Sequence, residues 1–590
     1  MEKSTKLMAI MATALSAATF TGCVDDAYDL ENINTDIEVK VNDLVVPINL
    51  DAITLSNAFD LDPESVVKEI NGEYAVVVDG DFKSDPITVN PVSITPGTIQ
   101  PIRCTIFKYD GGDINLPVAA QTISYLVTEA TTDFSFSSNG VDKTIRDLKK
   151  VKGTWNIDVK LNLSDNNGLF SQLSFHQFVM QLPAGLHVSN YPCNNGNVTV
   201  GDVEMNIGRD TYVKLIVDEI DFTKFDSDTY TFTPATGDLN NGIISFNGKV
   251  GVLSGYVIGA TNSTTANMPQ NVEMLVTPEM NRINVESVTG TIAYSIDGFE
   301  VADVELSDLP DMLRQNGTDV SLANPQLYLS LNNPVATYGL EAASGLTLTS
   351  IKDNQTVKVC SLDPATEIVL ASDKGNVGPY NFCLAPTNPA NYYEGYAGSQ
   401  FVGYKSLSGL LSGSGLPDCI NVSFDNPRVL PGEVNDFMLN TTISSVEGNY
   451  TLYAPLELTV GSRIVYEEEE TGWDDETIRK ITITTLKVAA TVTNSLPVDI
   501  IVSGTPLDVN GNPCVDPKTK QLVKLEGLKV AAGATSPIEL RSTGTIVGID
   551  GIRYTATCDV KEAGKVLKPS ETIDLKNIRV TVGGSYLDTL

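Results

Sequence analysis

The stretch Gly153–Leu163, GTWNIDVKLNL, decides the fold. Trp155, Ile157, Val159, Leu161 and Leu163 fall on one side of a two-residue period, and Asn156, Asp158, Lys160 and Asn162 fall on the other. Successive side chains of a strand point to opposite faces, so this is the pattern of an antiparallel strand with one face buried and one wet. Trp155 is thereby assigned to the core. Runs rich in Thr, Val and Ile recur outward from it, from Ile37–Leu50 to Ile573–Val582, as strands prefer. Turn signals separate them: Asn194-Asn195-Gly196, Asn240-Asn241-Gly242 and Asn510-Gly511-Asn512 supply the positive φ that tight connections need.

Helical signals are few. Ser307–Asn316 (SDLPDMLRQN) is the best, with Ser307 or Asp308 as cap, Pro310 in the first turn and Gly317 past the end. Asp62–Ile70 and Lys143–Lys150 are expected as short turns of helix. None is long enough to cross over a parallel sheet. The expected fold is all-β: several antiparallel β-sandwich modules in tandem, with only short helices.

Asn332-Asn333-Pro334-Val335, after the strand-like Gln326–Leu331, echoes Thr493-Asn494-Ser495-Leu496-Pro497-Val498, after Ile478–Val492. In both a strand enters a polar Asn turn, then Pro, then a new apolar run. This resembles the Asn-Pro corner of β-sandwich modules of the water-stress, late-embryogenesis-abundant type. The resemblance implies two related sandwiches, Ig-like or LEA-like, near 301–440 and 441–590. The expected organisation is a leader over 1–22, an acidic tether over 23–36, and β domains over 37–150, 151–300, 301–440 and 441–590. The third carries a loop-rich end at Gly375–Gly415.

The leader has three zones. Lys3 and Lys6 open it, Leu7–Phe20 (LMAIMATALSAATF) is uncharged and mostly apolar, and Thr21-Gly22-Cys23 closes it. A positive start, a short apolar run and a small-residue site define a secretory signal, and the run falls short of the roughly 20 apolar residues that span a bilayer. Thr21-Gly22-Cys23 resembles a lipobox, although Phe20 stands where Leu or Val is usual. The resemblance implies that Cys23 is lipidated and becomes the first mature residue. Stable anchoring takes two membrane signals, which a multiply acylated Cys supplies. Val24-Asp25-Asp26-Ala27-Tyr28-Asp29-Leu30-Glu31 resembles the acidic stretch of outer-membrane lipoproteins of the Bacteroides group. It implies a lipid-anchored outer-membrane protein on the cell surface, or otherwise on the periplasmic face.

Lys+Arg 39 against Asp+Glu 74 gives a net charge of −35, which excludes a nucleic-acid partner: that surface needs a basic footprint. Apart from Cys23, the cysteines are Cys104, Cys193, Cys360, Cys383, Cys419, Cys514 and Cys558, with no CxxC pair among them. Wide spacing reads as buried single thiols rather than a disulfide scaffold.

Catalytic motifs are missing from the sequence. His176 and His187 are the two histidines, read as structural or surface residues. There is no GxSxG, HExxH, GxxxxGK[ST] or GxGxxG, so no enzyme activity is expected. Two acidic clusters raise Ca²⁺ as a cofactor: Glu467–Glu470 with Asp474, Asp475 and Glu476, and Asp79, Asp81 and Asp85. Neither has EF-hand spacing, and the plainer reading of the first, Glu467–Glu476, is a long solvated hairpin loop between Tyr450–Val460 and Ile478–Val492. Asp508-Val509-Asn510-Gly511-Asn512 reads as a polar hairpin tip. Sugar stacking would call on Trp473 in the acidic loop and on Tyr392 and Tyr393, with Tyr396 and Tyr404, in a Gly-rich loop; ordinary loop packing is the plainer reading of those tyrosines. The function expected is a non-enzymatic structural, adhesion or binding role with a membrane anchor and a glycan or protein partner. The alternative is a polysaccharide-handling lipoprotein, a glycan binder or a carboxylate-pair glycosidase.

Overall fold

The computed structural model describes residues 36–48, 53–55, 59, 61, 65–108, 122–164, 170–261, 271–314, 317–373, 375–472, 481–527, 529–562 and 564–589. Within them the protein is all-β. The helical turn Asp311–Arg314, the helical residues Leu55 and Phe59, and three 3-10 turns interrupt the strands, and every strand pair but one among the described residues is antiparallel. Gly153–Leu163 lies inside the long strand Ile145–Ser164. Trp155 is buried there, and Ile157, Val159 and Leu161 are fully enclosed.

Three two-layered sandwiches share one pairing scheme. In the inner one, the first layer runs Ala130–Val141, Gly242–Thr261, Phe170–Gln181, Asn197–Met205. Its second layer runs Ile145–Ser164, Thr211–Asp221, Leu186–Val188. The middle sandwich repeats this with Glu73–Lys83, Glu447–Pro455, Gln326–Leu331, Tyr380–Ala385 over Ser287–Ser295, Cys419–Met438, Ala342–Lys352. The outer one repeats it with Asp36–Ile48, Thr572–Thr589, Ile481–Asn494, Thr535–Ser542 over Arg463–Glu470, Ile549–Asp559, Asp499–Asp508. Aromatic rings join the layers: Phe222 meets Phe246 edge-on at 5.4 Å in the inner sandwich, and Phe82 meets Phe424 at 5.0 Å in the middle one.

The sandwiches are nested rather than in tandem. The first strands of the outer, middle and inner units follow one another along the chain. The inner unit then closes completely, the middle one next and the outer one last. Strand pairing therefore crosses the segments expected at 37–150, 151–300, 301–440 and 441–590: Glu73–Lys83 pairs with Glu447–Pro455, and Asp36–Ile48 with Thr572–Thr589. A tandem order assumes that consecutive elements are neighbours, and alternation within a strand carries no information about its distant partner. Ile145–Ser164 also pairs with Ser287–Ser295, fusing the second layers of the inner and middle units into an 11-stranded sheet.

The Asn corners occupy equivalent places. Asn333 and Asn494 are both fully buried, Asn333 two residues past Gln326–Leu331 and Asn494 at the end of the equivalent strand Ile481–Asn494. The Asn333 side-chain amide donates to the carbonyls of Leu340 at 3.0 Å and Ala371 at 2.7 Å. That of Asn494 donates to Val498 at 2.8 Å and Ala531 at 3.2 Å, and its Oδ1 accepts from the Leu496 N–H at 3.0 Å. A single amide thus holds three segments where the chain changes layer, satisfying backbone carbonyls that burial would otherwise orphan. The inner unit has Leu182 here. Its N–H bonds the Gly196 carbonyl as that of Asn333 bonds Val377 and that of Asn494 bonds Ala534, but its side chain is purely apolar.

Two expected helical turns run into strands instead. Lys143–Lys150 enters Ile145–Ser164, and Asp62–Ile70, of which 62–64 lie outside the described residues, ends in Val67–Ile70. Ser307–Asn316 contains the turn Asp311–Arg314, with Arg314 donating to the Ser307 carbonyl at 2.7 Å.

Candidate functional site

Glu73–Lys83, Glu447–Pro455 and Gln326–Leu331 turn Phe82, Leu327, Leu329 and Leu452 into the middle sandwich. The alternate residues face outward. Register places Asp81 opposite Asn449 and Asn449 opposite Ser330, a polar row across three strands. The next row is Lys83 and Glu447, paired at 3.2 Å, with Asn332 beside them accepting the Glu447 N–H at 2.7 Å. Gly448 lets the strands close up, since a Cβ there would lie 2.0 Å from the Ser330 carbonyl oxygen.

These rows floor an open groove of about 1010 Å³. One wall is Glu300-Val301-Ala302, fixed by pairing with Phe82 and Lys83 and by the Ala302 N–H bonding the Asp81 carbonyl. The other is Val377-Gly378-Pro379.

The tyrosine loop covers the rest of this face. Tyr328 points outward from its strand yet is fully buried under the loop, donating to Gln326 Oε1 at 2.6 Å and accepting the Tyr393 N–H at 2.9 Å. Tyr393 stacks on Tyr453 at 4.9 Å, and Tyr396 lies 4.8 Å from Tyr328. Thr451 donates to Asp79 at 2.6 Å, so the Tyr396 hydroxyl, 3.2 Å from Thr451 Oγ1, is the donor to it. Tyr392 and Tyr393 are half-buried, and burial holds the Tyr393 phenol above its ordinary pKa. Tyr404 lies elsewhere, buried between the layers and bonded to the Leu346 and Cys360 carbonyls.

Cys23 and Trp473 lie outside the described residues, as do Asp474, Asp475 and Glu476. Glu467–Glu470 belongs to the strand Arg463–Glu470 and not to a hairpin loop. Its partner strand puts Thr555 opposite Glu467 and Arg553 opposite Glu469, and Arg553 pairs with Glu469 at 2.6 Å. Cross-strand charge pairing overrides the low strand preference of Glu. Asp79 is bound to Thr451, Asp81 faces the groove, and Asp85 lies past the strand, so the three do not converge. Among the described residues no group of three or more His, Cys, Asp or Glu is placed to hold a metal ion. Asp508 Oδ1 accepts the Asn510 and Asn512 N–H groups at 2.9 Å each, which makes that segment a hairpin tip.

Sequence reasoning missed one constellation. On the outer face of the inner sandwich, Ser174 Oγ lies 2.7 Å from His176 Nε2, and His176 Nδ1 lies 2.9 Å from Asp202 Oδ2. Ser and His two apart on a strand share a face, which the sequence could have signalled; the partner Asp202 comes from another strand, which it could not. The connectivity is that of a nucleophile, a base and an orienting carboxylate. The surroundings oppose the chemistry. Ser174 sits mid-sheet between two paired strands, and Glu204 stands directly opposite it. An oxyanion needs converging N–H donors, whereas Ser174 has a carboxylate-bearing neighbour. His176 also stacks on Tyr256 at 5.5 Å, which completes a surface polar network. His187 pairs with Asp218 at 2.6 Å on the other layer.

All seven described cysteines are free thiols. Among the described residues no helix is long and apolar enough to cross a membrane. No family model matches the chain, and no curated protein matches it. Among solved structures, a crystal structure named "putative secreted protein", from Parabacteroides distasonis, aligns over 50% of this chain and 89% of its own, at 15% identity and a TM-score of 0.33.

Proposed function

We propose that the protein is a lipid-anchored outer-membrane protein, displayed on the cell surface, with a non-enzymatic structural, adhesion or binding role. The observation that carries this reading is the leader: a positive start, a short apolar run and Thr21-Gly22-Cys23, followed by the acidic residues Asp25, Asp26, Asp29 and Glu31. A charge of −35 suits a body held off anionic surfaces by a tether. The Ser174–His176–Asp202 set, with Glu204 beside it, gives no reason to add catalysis. Cys23→Ala should move the protein from the membrane pellet to the soluble fraction and abolish incorporation of a palmitate analogue. Continued sedimentation of that variant would refute the anchor. Protease added to intact cells should degrade the body; full protection would put it on the periplasmic face.

The second reading, glycan binding, is favoured by one observation: an open groove of about 1010 Å³ with a polar floor lies on the outer face of the middle sandwich.

A further inference from the structure

We propose that the groove on the outer face of the middle sandwich is a binding site for a neutral oligosaccharide, with Asp81, Asn449 and Ser330 as the hydrogen-bonding floor. The inference rests on the glycan-binding reading and names its site and ligand class.

Among the described residues, the side chains of Asp81, Asn449 and Ser330 make no hydrogen bond within the protein, although all three face the groove. Their neighbours are committed. Asp79 is held by Thr451, Lys83 by Glu447, and Asn332 by the Glu447 N–H. The uncommitted groups are therefore concentrated in one row. They sit on consecutive paired strands, so the sheet ladder rather than a loop fixes their spacing, which is the rigidity a preorganised site needs. Strand neighbours lie about 4.8 Å apart, a step close to the length of one hexose unit. Asn381, opposite Ser330 on the fourth strand, continues the row by one more step.

The ligand class follows from floor and walls together. The carboxylate accepts from sugar hydroxyls, while the amide and the hydroxyl both donate to and accept from them. Val301 and Ala302 on one side and Val377 and Pro379 on the other offer apolar surface to the C–H faces of a ring. A polar floor between apolar walls is wrong for an acyl chain, which would strand Asp81 and Asn449 without partners. Asp81, Glu300 and Glu447 line the groove against the single cation Lys83, itself spent on Glu447. That balance repels uronic or sulfated chains and selects neutral ones.

The test uses the full mature chain and isothermal titration with six-residue oligomers of glucose (α- and β-linked), mannose, xylose, galactose and N-acetylglucosamine. Oligogalacturonide and an octalysine peptide run alongside. The expected result is binding to at least one neutral oligomer and none to oligogalacturonide. The Asn449→Ala/Ser330→Ala double variant, folded by circular dichroism, should then weaken that binding roughly tenfold or more, the loss of one or two neutral hydrogen bonds. Tyr392→Ala/Tyr393→Ala should leave it within about twofold. Unchanged affinity in the groove variant with loss in the tyrosine variant would overturn this site while sparing glycan binding. No neutral oligomer bound by the wild-type chain would overturn both, and octalysine binding lost in Asp81→Asn would make the groove a peptide site instead. None of these outcomes bears on the Cys23 anchor, which the fractionation experiment judges separately.

Discussion

The inner and outer sandwiches have the same strand pairing, yet the chain makes them differently. The inner one draws its principal strands from a single run, Ala130–Val141 to Gly242–Thr261. The outer one joins Asp36–Ile48 to strands that begin only at Arg463. The entropy of closing a loop rises only logarithmically with its length, so the folded outer unit is not greatly penalised. The rate of finding remote partners is a different matter, because non-local contacts are slow to form. Identical architecture therefore does not mean equal independence. The inner unit takes its seven principal strands from one run, although Ile145–Ser164 also pairs with Asn271–Met280 and Ser287–Ser295, whereas the outer one joins strands more than 400 residues apart in sequence.

Removing Asp36–Ile48 tests this most severely. The deletion strips the partner from Ile578–Thr589 and leaves an open sheet edge. The outer unit should lose roughly 10 °C or more of thermal stability, a few kcal/mol in a domain of this size. In limited proteolysis, fragments from 463–589 should appear first while 130–261 survives. Simultaneous loss of both would show that the three units unfold as one.

A smaller effect is expected at the corners. Asn494→Ala removes an amide that serves three backbone groups and should cost about 2–4 kcal/mol, from buried carbonyls left unpaired. Asn333→Ala should cost somewhat less, because its Oδ1 is already buried without a partner. Leu182→Asn should destabilise the inner unit by burying an amide in an apolar site. Chemical denaturation of the three variants measures this; a neutral Asn494→Ala would mean that the corner is held by packing alone.

The gentlest probe is thiol labelling. Burial pushes the thiols of Cys514, in the outer unit, and Cys104, on a strand added beside the inner one, up to about 11. Neither is a reactive thiolate near pH 8, so labelling waits for local opening. Cys514 should label faster than Cys104 under native conditions, and equal rates would erase the distinction between the units. Because the folded chain keeps these protons and the unfolded chain releases them near 9.0, stability should fall as pH rises from about 9 to about 11.

The sequence revealed strands wherever the period of two was clean, as at Trp155–Leu161. It misled at Lys143–Lys150 for a definite reason. Two register shifts interrupt the pairing with Ser287–Ser295, so the buried residues Ile145, Leu148 and Val151 recur every third position and imitate a helix. Bulges do this because each inserts an extra residue into one strand. The Asn-Pro echo marked equivalent corners of the middle and outer units though not their bounds, and the third unit has Leu182 at the same corner, outside that motif. The nesting was illegible, since it resides in partner choice. The groove was half legible: Asp81 stood out as one of three clustered acids, while Asn449 and Ser330 become its neighbours only through strand register. For Tyr392 and Tyr393 the sequence showed the cluster but not the outward Tyr328 beneath it.

The ladder between Asp36–Ile48 and Thr572–Thr589 also sets a mechanical property. It runs in register from Asp36 opposite Thr589 to Ile48 opposite Ile578, interrupted by one bulge. A pull on the chain ahead of Asp36, along the strand axis, would load these hydrogen bonds in shear, so that they share the force instead of breaking one after another. The entry point of that load, Asp36, sits opposite Thr589 at one end of the ladder. Tension entering ahead of Asp36 would thus be borne first by the outer sandwich, leaving the middle one and its groove unstrained until the outermost strand slips.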